Sequence, residues 1–438
     1  MIAQPEPFAI HVSDADLEDL RSRLLNTRIV PNEVAAGRFD PNGSWSYGTD
    51  RSTLQRFIKY WLDEYDWRSH EAKLNALSHY KLDVKGLRLH FIHEPSSRAD
   101  AIPLLLVHGW PGSVVEFLKV IPKLRDAGFH VVAPSIPGYG WSEAPKEPGA
   151  DCTFVAEHFQ ALMQQLGYKQ YAAQGGDFGS MILAINAYRF PEHCVAYHTN
   201  FPMSVMPPTD LYGILRLIWG MITMPANERT GLKETFYTLR HETAYQQIQG
   251  TKPQSLGYGL NDSPAGLLAW LLEKFQSWSA CGRASPENSG ISMDEILTNV
   301  MVYWSTQTIT SSCRQYYETL PHAPGKILPT CITGYIAVPT GILSAYEPLK
   351  FPRIIFELNY NLKHVTAAET GGHFFALEQP DAFVADVTNF FKVVLDFETC
   401  KAKCPKFGQG RRMEAGRVAM YVGLLALVAG MVGRRMSR

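Results

Sequence analysis

Residues 169–190 read KQYAAQGGDFGSMILAINAYRF, and this stretch decides the fold class. The run KQYAAQ is typical of a buried strand, and FGSMILAINAYRF has the composition of a helix. The glycines between them permit a tight strand-to-helix turn, which would project Asp177 from the edge of a sheet. The alternative is that Asp177 is only the N-cap of the helix, and the pentapeptide GGDFG alone does not decide between the two.

Strands and helices alternate on both sides of this turn. AIPLLLVHG and FHVVAPS precede it and CVAYHTN follows it, each predicting a strand, and TFVAEHFQALMQQLG predicts an amphipathic helix. Strands return at PTCITGYIA, RIIFELN and LKHVTAA, before a closing helix in QPDAFVADVTNFFKVV. Because such alternation is typical of a parallel sheet with helices on both faces, the predicted class is α/β with a mostly parallel central sheet.

The pattern divides the chain into five segments. Residues 1–95 form a leading region of helices and a hairpin, and residues 96–202 form the first part of the α/β core. Residues 203–324 are mostly helical and interrupt the alternation, as a lid over an active site would. Residues 325–398 complete the core, and residues 399–438 form a separate tail.

Composition excludes several classes of protein. The 438 residues include 41 Lys and Arg against 42 Asp and Glu, and this balance argues against a nucleic-acid-binding protein. Hydrophobic residues make up 46% of the chain, so it can bury a large core and is not disordered over most of its length. Seven scattered cysteines argue against a disulfide framework and for a reducing compartment, and no cluster completes a metal site.

The two ends of the chain carry different signals. The N-terminus has no basic region followed by an apolar run, so no signal peptide is expected. Residues 418–433, VAMYVGLLALVAGMVG, carry no charge and are flanked by Arg417, Arg434 and Arg435. As a helix this segment would span about 24 Å, short of the ~30 Å hydrocarbon core of a bilayer, but the arginines could snorkel. We expect an intracellular protein with a membrane anchor here and a cytosolic catalytic body. Surface association, a disordered tail and packing on the body are the alternatives, and without an anchor the protein would be cytoplasmic.

Asp177 is the candidate nucleophile. At the start of a helix, backbone N–H groups and the helix dipole favour a carboxylate, which can attack an electrophilic carbon and form an ester. HGWPGS, residues 108–113, follows a strand and leaves amides free, so the N–H groups of Trp110 and Phe178 are the candidate oxyanion hole. GWSEA around Ser142 resembles a serine nucleophile motif, but it lies in a turn-rich loop and is disfavoured.

A histidine and an acid are expected late in the chain. GGHF places His373 after a predicted strand and before the closing helix, where it can reach the turn at Asp177. Glu347, in the loop after CITGYIAV, is the candidate that orients His373 and balances its charge. Asp381 and Glu369 are rivals, but Asp381 is expected to cap the last helix and Glu369 to be a solvated loop charge.

These segments resemble those of one known family. HGWPGS, PSIPGYGWSE, GGDFGS, LNDSPAGLLAWLLEKF, ILTNVMVYW and GGHFFALEQP are similar to signature segments of the microsomal-type epoxide hydrolases, in the α/β-hydrolase superfamily. The resemblance covers nearly all of residues 5–397 and implies an α/β-hydrolase fold with an N-terminal meander and a helical lid. Mammalian microsomal members carry an N-terminal membrane helix, whereas this sequence has its apolar segment at the other end.

The resemblance also assigns roles by position. It implies a nucleophile, a general base and a charge-relay acid at Asp177, His373 and Glu347. It further implies that two lid tyrosines hold the epoxide oxygen and donate its proton, and these become Tyr245 and Tyr316, with Tyr317 as the alternative to Tyr316.

The expected reaction converts an epoxide to a vicinal diol. The carboxylate forms a hydroxyalkyl ester with the substrate, and activated water then attacks the ester carbonyl. The expected partners are water and a small lipophilic epoxide, whether a xenobiotic to be detoxified, a lipid or a secondary metabolite, and neither a metal nor a cofactor is needed. A dehalogenase with the same aspartate and a non-catalytic protein that binds a lipophilic ligand are the alternatives. The oligomeric state and the selectivity stay open.

Overall fold

The computed structural model describes residues 4–30, 45–202, 208, 210–280, 289–320, 334–345, 347 and 349–395. The predicted tail, residues 399–438, lies outside these ranges, and so does the apolar segment 418–433 within it. Among the residues that are described, no helix combines the length and the apolar character needed to cross a bilayer.

A nine-stranded sheet forms the centre of the described chain. Its strands are β1 (Glu6–Pro7), β2 (His79–Val84), β3 (Leu87–Glu94), β4 (Ile102–Val107), β5 (Phe129–Pro134), β6 (Tyr171–Gly175), β7 (Cys194–Thr199), β8 (Ile336–Ser344) and β9 (Tyr360–Ala367). They lie in the order β1-β2-β3-β5-β4-β6-β7-β8-β9. The pairs β1–β2, β2–β3 and β3–β5 are antiparallel and the rest are parallel, so the prediction of a mostly parallel sheet is confirmed.

Helices flank this sheet and fill a long insertion in it. Those before the insertion are α1 (Asp14–Leu25), α2 (Arg51–Asp63), α3 (Trp67–Asn75), α4 (Ile121–Asp126), α5 (Cys152–Gln165) and α6 (Asp177–Arg189). The insertion between β7 and β8 contains α7 (Leu211–Thr223), α8 (Ala226–His241), α9 (Ala244–Thr251), α10 (Pro253–Asp262), α11 (Pro264–Trp278), α12 (Met293–Thr306) and α13 (Ile309–Thr319). The last helices are α14 (Arg353–Asn359), α15 (Phe375–Glu378) and α16 (Pro380–Val394).

Each face of the sheet has its own layer of buried apolar side chains. On β4 and β6, Leu105 and Ala173 point to one face and Leu104 and Ala172 to the other, because side chains alternate along a strand. The layer with Leu105 and Ala173 also contains side chains of α5, α6, α11 and α12. The helical insert therefore shares a core with the sheet and does not form a separate body.

One predicted strand is wrong. RIIFELN forms α14, and its buried residues Ile355 and Asn359 are four positions apart, which is the spacing of one face of a helix. The Nε–H of Arg353 donates to Glu357 across the same four-residue spacing, at 2.9 Å. The adjacent isoleucines resemble a short strand, but Arg353 is exposed and Glu357 half-buried, four positions apart, so the strand pattern does not extend along the segment.

The parallel strands end at one edge of the sheet, and the loops that leave this edge position the candidate residues. Trp110 follows β4 by three residues and Asp177 follows β6 by two. Glu347 follows β8 by three residues and His373 follows β9 by six. Because these strands all run in the same direction, four segments that are distant in sequence meet at one place.

Candidate active site

Asp177 begins α6 immediately after β6, at the carboxyl edge of the sheet. Its φ of +49° is left-handed, a conformation that costs a residue other than glycine about 1–3 kcal/mol. A Cβ atom on Gly179 would lie 2.1 Å from the carbonyl oxygen of Val107, so only glycine fits where the first turn of α6 meets β4. The N-cap of α6 is Gly176, so Asp177 is not the simple N-cap that the sequence left open.

Two backbone amides meet the Asp177 carboxylate. The N–H of Trp110 donates to Oδ1 at 2.9 Å, and the N–H of Phe178 also binds this carboxylate. Trp110 comes from the loop after β4 and Phe178 from the first turn of α6, so the sheet order brings HGWPGS and GGDFG together. The two predicted oxyanion-hole residues therefore lie beside Asp177.

His373 lies between two carboxylates. Its Nδ1 is 2.8 Å from Oε2 of Glu347, and its Nε2 is 3.8 Å from Oδ2 of Asp177. The backbone N–H of His373 donates to the carbonyl oxygen of Trp278 at 2.8 Å, which ties its loop to the end of α11. Because the Nδ1–H of His373 donates its hydrogen bond to Glu347, Nε2 is the nitrogen that faces Asp177.

Burial and charge compete in this row of side chains. Burial lowers the pKa of His373, but the carboxylates of Glu347 and Asp177 outweigh it and raise that pKa to about 9. Burial raises the pKa of Asp177 and of Glu347, and the imidazolium charge opposes both shifts. At neutral pH these interactions favour the imidazolium form of His373, which contacts Glu347 and faces Asp177.

Two phenols from the insert lie around Trp110, next to Asp177. The Tyr245 ring stacks on Trp110, with centroids 5.4 Å apart and planes 11° apart, and Tyr316 meets Trp110 edge-on at 5.6 Å. Burial raises the pKa of both phenols and the Asp177 charge adds to it, so both remain protonated. Tyr316 is 3% exposed and Tyr317 is 40% exposed, so Tyr316 is the member of this pair that faces the site.

Sequence reasoning missed three polar or aromatic residues at this site. Lys274 lies with its Nζ 4.1 Å from the ring centroid of Tyr245, and Trp278 meets the His373 ring edge-on at 5.0 Å. Glu116 shares a small cavity with Asp177 and His373. The available signal was a charged residue in an apolar run, Lys274 in PAGLLAWLLEKF and Glu116 in VVEFL.

The rival residues lie elsewhere. The expectation that Asp381 caps the last helix is wrong, because α16 has no side-chain cap and Asp381 lies in its first turn, paired with Lys123. Glu369 is exposed, as expected of a loop charge. The hydroxyl of Ser142 donates to the carbonyl oxygen of Ser135 at 2.8 Å, within its own loop. Over the described ranges no group of three His, Cys, Asp or Glu could hold a metal ion.

Comparison with known proteins assigns the chain to a family. Residues 5–117 match the epoxide hydrolase N terminus and residues 102–330 match the alpha/beta hydrolase fold. Juvenile hormone epoxide hydrolase of Bombyx mori is 37% identical over 90% of this chain and 87% of its own length. Epoxide hydrolase 1 of Sus scrofa is 37% identical over 88% of each chain.

Solved structures agree with these sequence matches. The crystal structure of the Bombyx mori juvenile hormone epoxide hydrolase superposes with a TM-score of 0.78 and 32% identity, over 90% of this chain and 96% of that one. The Aspergillus niger epoxide hydrolase gives a TM-score of 0.76 and 30% identity, over 90% and 97%. With an α/β sheet, a helical insert and relatives that match along nearly their whole length, the chain belongs to the microsomal-type epoxide hydrolase family of the α/β-hydrolase superfamily.

Proposed function

We propose that this epoxide hydrolase opens its substrate in two steps, through a covalent ester on Asp177. The observation that carries the proposal is the row of side chains in which Glu347 contacts His373 and His373 faces Asp177. One end of this row is the half-buried carboxyl group of Asp177, and the other is the buried Glu347, which holds the imidazole in one orientation.

In the first step the carboxylate attacks an epoxide carbon. Oδ1 of Asp177 accepts the Trp110 amide, so Oδ2 is the oxygen left to attack. The carbon–oxygen bond of the ring breaks, and the resulting alkoxide takes a proton from Tyr245 or Tyr316. An alkoxide is a poor leaving group, so a proton donor at this position lowers the barrier, by a factor of about 10²–10⁴ for general acids of this kind.

In the second step water hydrolyses the ester. Ester formation removes the negative charge of Asp177, which is one of the charges that raise the pKa of His373. The imidazolium proton then passes to the phenolate left by the first step, and the neutral imidazole takes a proton from water. Attack at Cγ places negative charge on Oδ1, where the amide of Trp110 already binds, and the amide of Phe178 binds the same carboxyl group. When this intermediate collapses, the alkoxide leaves with the proton held by His373, which gives the diol, and the proton left on the Asp177 carboxyl returns to His373.

Trapping the ester tests this mechanism. In a His373→Gln variant the first step continues and the second is blocked, so the peptide that contains Asp177 should gain the mass of the substrate in a single turnover. Wild-type enzyme quenched at long times is the control and should carry no adduct. Absence of the adduct in the variant, with substrate consumed, would contradict the two-step scheme.

Neither alternative function is favoured by the site. A dehalogenase uses the same carboxylate, but the family assignment and the pair of phenols fit an oxygen leaving group. A protein that only binds a ligand has no need for a histidine held between two carboxylates. Hydrolysis is therefore the function that the site supports best.

The proposed substrate is a lipophilic epoxide. Aromatic rings surround Asp177, and they are those of Trp110, Phe178, Tyr245, Trp278 and Tyr316. The test is kcat/KM along a series of terminal epoxyalkanes. Each added methylene that enters the pocket should raise kcat/KM about fourfold, which corresponds to about 0.8 kcal/mol of apolar burial. A flat profile, or a preference for glycidol, would contradict an apolar pocket.

The tail is proposed to associate with a membrane, with the catalytic body on the cytosolic side. What supports this is the charge-free segment 418–433 between arginines. Full-length protein should pellet with membranes, and a variant that ends at residue 398 should remain in the supernatant. The catalytic body should stay accessible to protease added outside intact vesicles. Equal fractionation of the two forms would contradict the proposal.

A further inference from the structure

A third carboxyl group lies in the catalytic pocket, and the two-step reaction described above does not use it. Glu116 belongs to a 3₁₀ turn, Val114–Phe117, that follows HGWPGS directly. Its side chain lines a small cavity together with Gly109, Asp177 and His373. The volume of the cavity is about 20 Å³, and a water molecule needs about 10–15 Å³, so there is room for one water.

The local backbone is built to accommodate this carboxyl. A Cβ atom on Gly112 would lie 2.4 Å from Oε1 of Glu116, so glycine leaves the space that the carboxyl occupies. The turn itself is fixed by Ser113, whose hydroxyl accepts the N–H of Val115 and donates to Asn299 on α12. The backbone at Gly112 and Ser113 therefore leaves room for the Glu116 carboxyl beside the cavity.

The half-buried carboxyl of Glu116 accepts no hydrogen bond from the residues that the structure describes. The titratable groups that face it are the imidazole of His373, the carboxylates of Asp177 and Glu347, and the phenol of Tyr303. Buried polar groups are nearly always hydrogen-bonded, to protein or to ordered water. A carboxyl without a protein partner, beside a cavity that fits one water, indicates that water is the partner.

The charge state of Glu116 suits this contact. Burial raises the pKa of Glu116 to about 8. The charge of His373 opposes this shift, and the charges of Asp177 and Glu347 add to it. At neutral pH Glu116 is therefore mostly a carboxylic acid. In that form it can both donate a hydrogen bond to a water and accept one from it.

We propose that Glu116 holds the water that hydrolyses the ester on Asp177. The proposal rests on the two-step reaction above. A water in this cavity lies against both Asp177 and His373. In the hydrolytic step its oxygen bonds to Cγ of Asp177 and its proton goes to Nε2 of His373. The ester bond then breaks, and the departing alkoxide takes that proton to give the diol. The second proton of the water, left on the carboxyl group of Asp177, passes to Nε2 of His373, which restores the carboxylate and the imidazolium.

Variants of Glu116 should slow the second step and spare the first. Glu116→Leu keeps an apolar side chain of similar size and removes both hydrogen-bonding atoms. It should reduce the rate constant for ester hydrolysis about 100-fold, the loss expected when a reacting group is misplaced by about an ångström. Glu116→Gln retains a donor and an acceptor and should lose only about fivefold, the equivalent of one hydrogen bond. In both, the rate of ester formation should stay within about twofold of wild type.

The measurement is rapid-quench single turnover with the ester on the Asp177 peptide followed by mass. The ester should accumulate to a higher level in Glu116→Leu than in Glu116→Gln, and both kcat and KM should fall, because a later step limits turnover. In wild type the hydrolysis rate should fall as pH rises through about 8, and this limb should be absent in Glu116→Gln.

Two further variants separate the possible failures. Glu71→Gln removes a carboxyl buried far from the pocket and should leave the ratio of the two rate constants unchanged. If His373→Gln accumulates ester but both Glu116 variants hydrolyse it at the wild-type rate, Glu116 does not hold the water. If formation and hydrolysis slow equally in Glu116→Gln, its role is structural. If no variant accumulates ester, the two-step reaction itself fails.

Discussion

The sheet edge and the helical insert contribute to the same pocket in different ways. The edge supplies Asp177, His373 and Glu347 from loops that follow parallel strands, so the strand order alone brings them together. The insert supplies Tyr245 and Tyr316 from helices α9 and α13, whose position depends on how the insert packs. The order of the strands therefore places the candidate nucleophile, base and acid, and the packing of the insert places the candidate proton donors.

The insert is itself divided. Helices α11 and α12 are buried against the sheet layer, whereas α7 exposes Leu211, Leu215 and Trp219 along one side. Packing therefore constrains amino-acid substitutions least on α7, and most where the insert contacts the row formed by Asp177, His373 and Glu347.

The largest effect should come from the sheet edge. Asp177→Asn keeps the shape and removes the negative charge, so kcat should fall by about 10⁴-fold or more, as for a lost triad nucleophile. The measurement is diol formation, with circular dichroism and Tm as folding controls. Asp381→Asn, which changes an exposed aspartate, should retain wild-type kcat. If the kcat of Asp177→Asn stayed within tenfold of the wild-type kcat, Asp177 would not be the nucleophile.

The insert should give the next largest effect, confined to the first step. Tyr245→Phe and Tyr316→Phe each remove one donor to the epoxide oxygen, and each should slow ester formation about 10²-fold. Because the phenols act on one oxygen, the double variant should lose less than the product of the single losses. Tyr317→Phe is the matched control, since Tyr317 points outward. An equal effect of Tyr317→Phe would reverse the choice between these neighbours.

The thermal stability of the protein should depend on pH through His373, at the sheet edge. The pKa of His373 is raised to about 9 in the folded protein, so its protonated form stabilises the fold fully below the unfolded value near 6.5. That contribution is lost as pH rises through about 9. Tm of wild type should therefore fall between pH 7 and 10, relative to the Tm of His373→Gln. If the Tm of the two proteins changed with pH in parallel, a raised pKa of His373 in the folded protein would be contradicted.

Within the insert, burial should decide how much a substitution destabilises the fold. Leu268→Ala, at a site that is 0% exposed on α11, should reduce the free energy of unfolding by about 2–5 kcal/mol. Leu215→Ala, on α7 and 55% exposed, should change it by no more than about 0.5 kcal/mol. Urea unfolding measures both. Equal losses would show that α7 is packed as tightly as α11.

The sequence predicts the sheet edge better than it predicts the helical insert. The strands β4 and β6, the turn at Asp177 and the loop with His373 were predictable because each combines an apolar run with a glycine motif. The structure brings Asp177, His373, Glu347, Trp110 and Phe178 together. Their chemical roles stay predictions until the variants are measured.

The insert offered much less. Tyr245 and Tyr316 lie in ordinary helical sequence, and only the resemblance to a family pointed to them. Lys274 and Glu116 were missed because one charge in an apolar run does not reveal which cavity it faces. RIIFELN was mistaken for a strand because three apolar residues in a row satisfy either pattern, and only packing against neighbours decides.

The contact between Gly179 and the carbonyl oxygen of Val107 has a mechanical consequence. It joins the helix that carries Asp177 to the strand whose loop carries Trp110, with no side chain between them. The spacing of Asp177 and the Trp110 amide is therefore set by backbone meeting backbone, whereas the position of His373 also depends on α11 of the insert, through the carbonyl oxygen of Trp278.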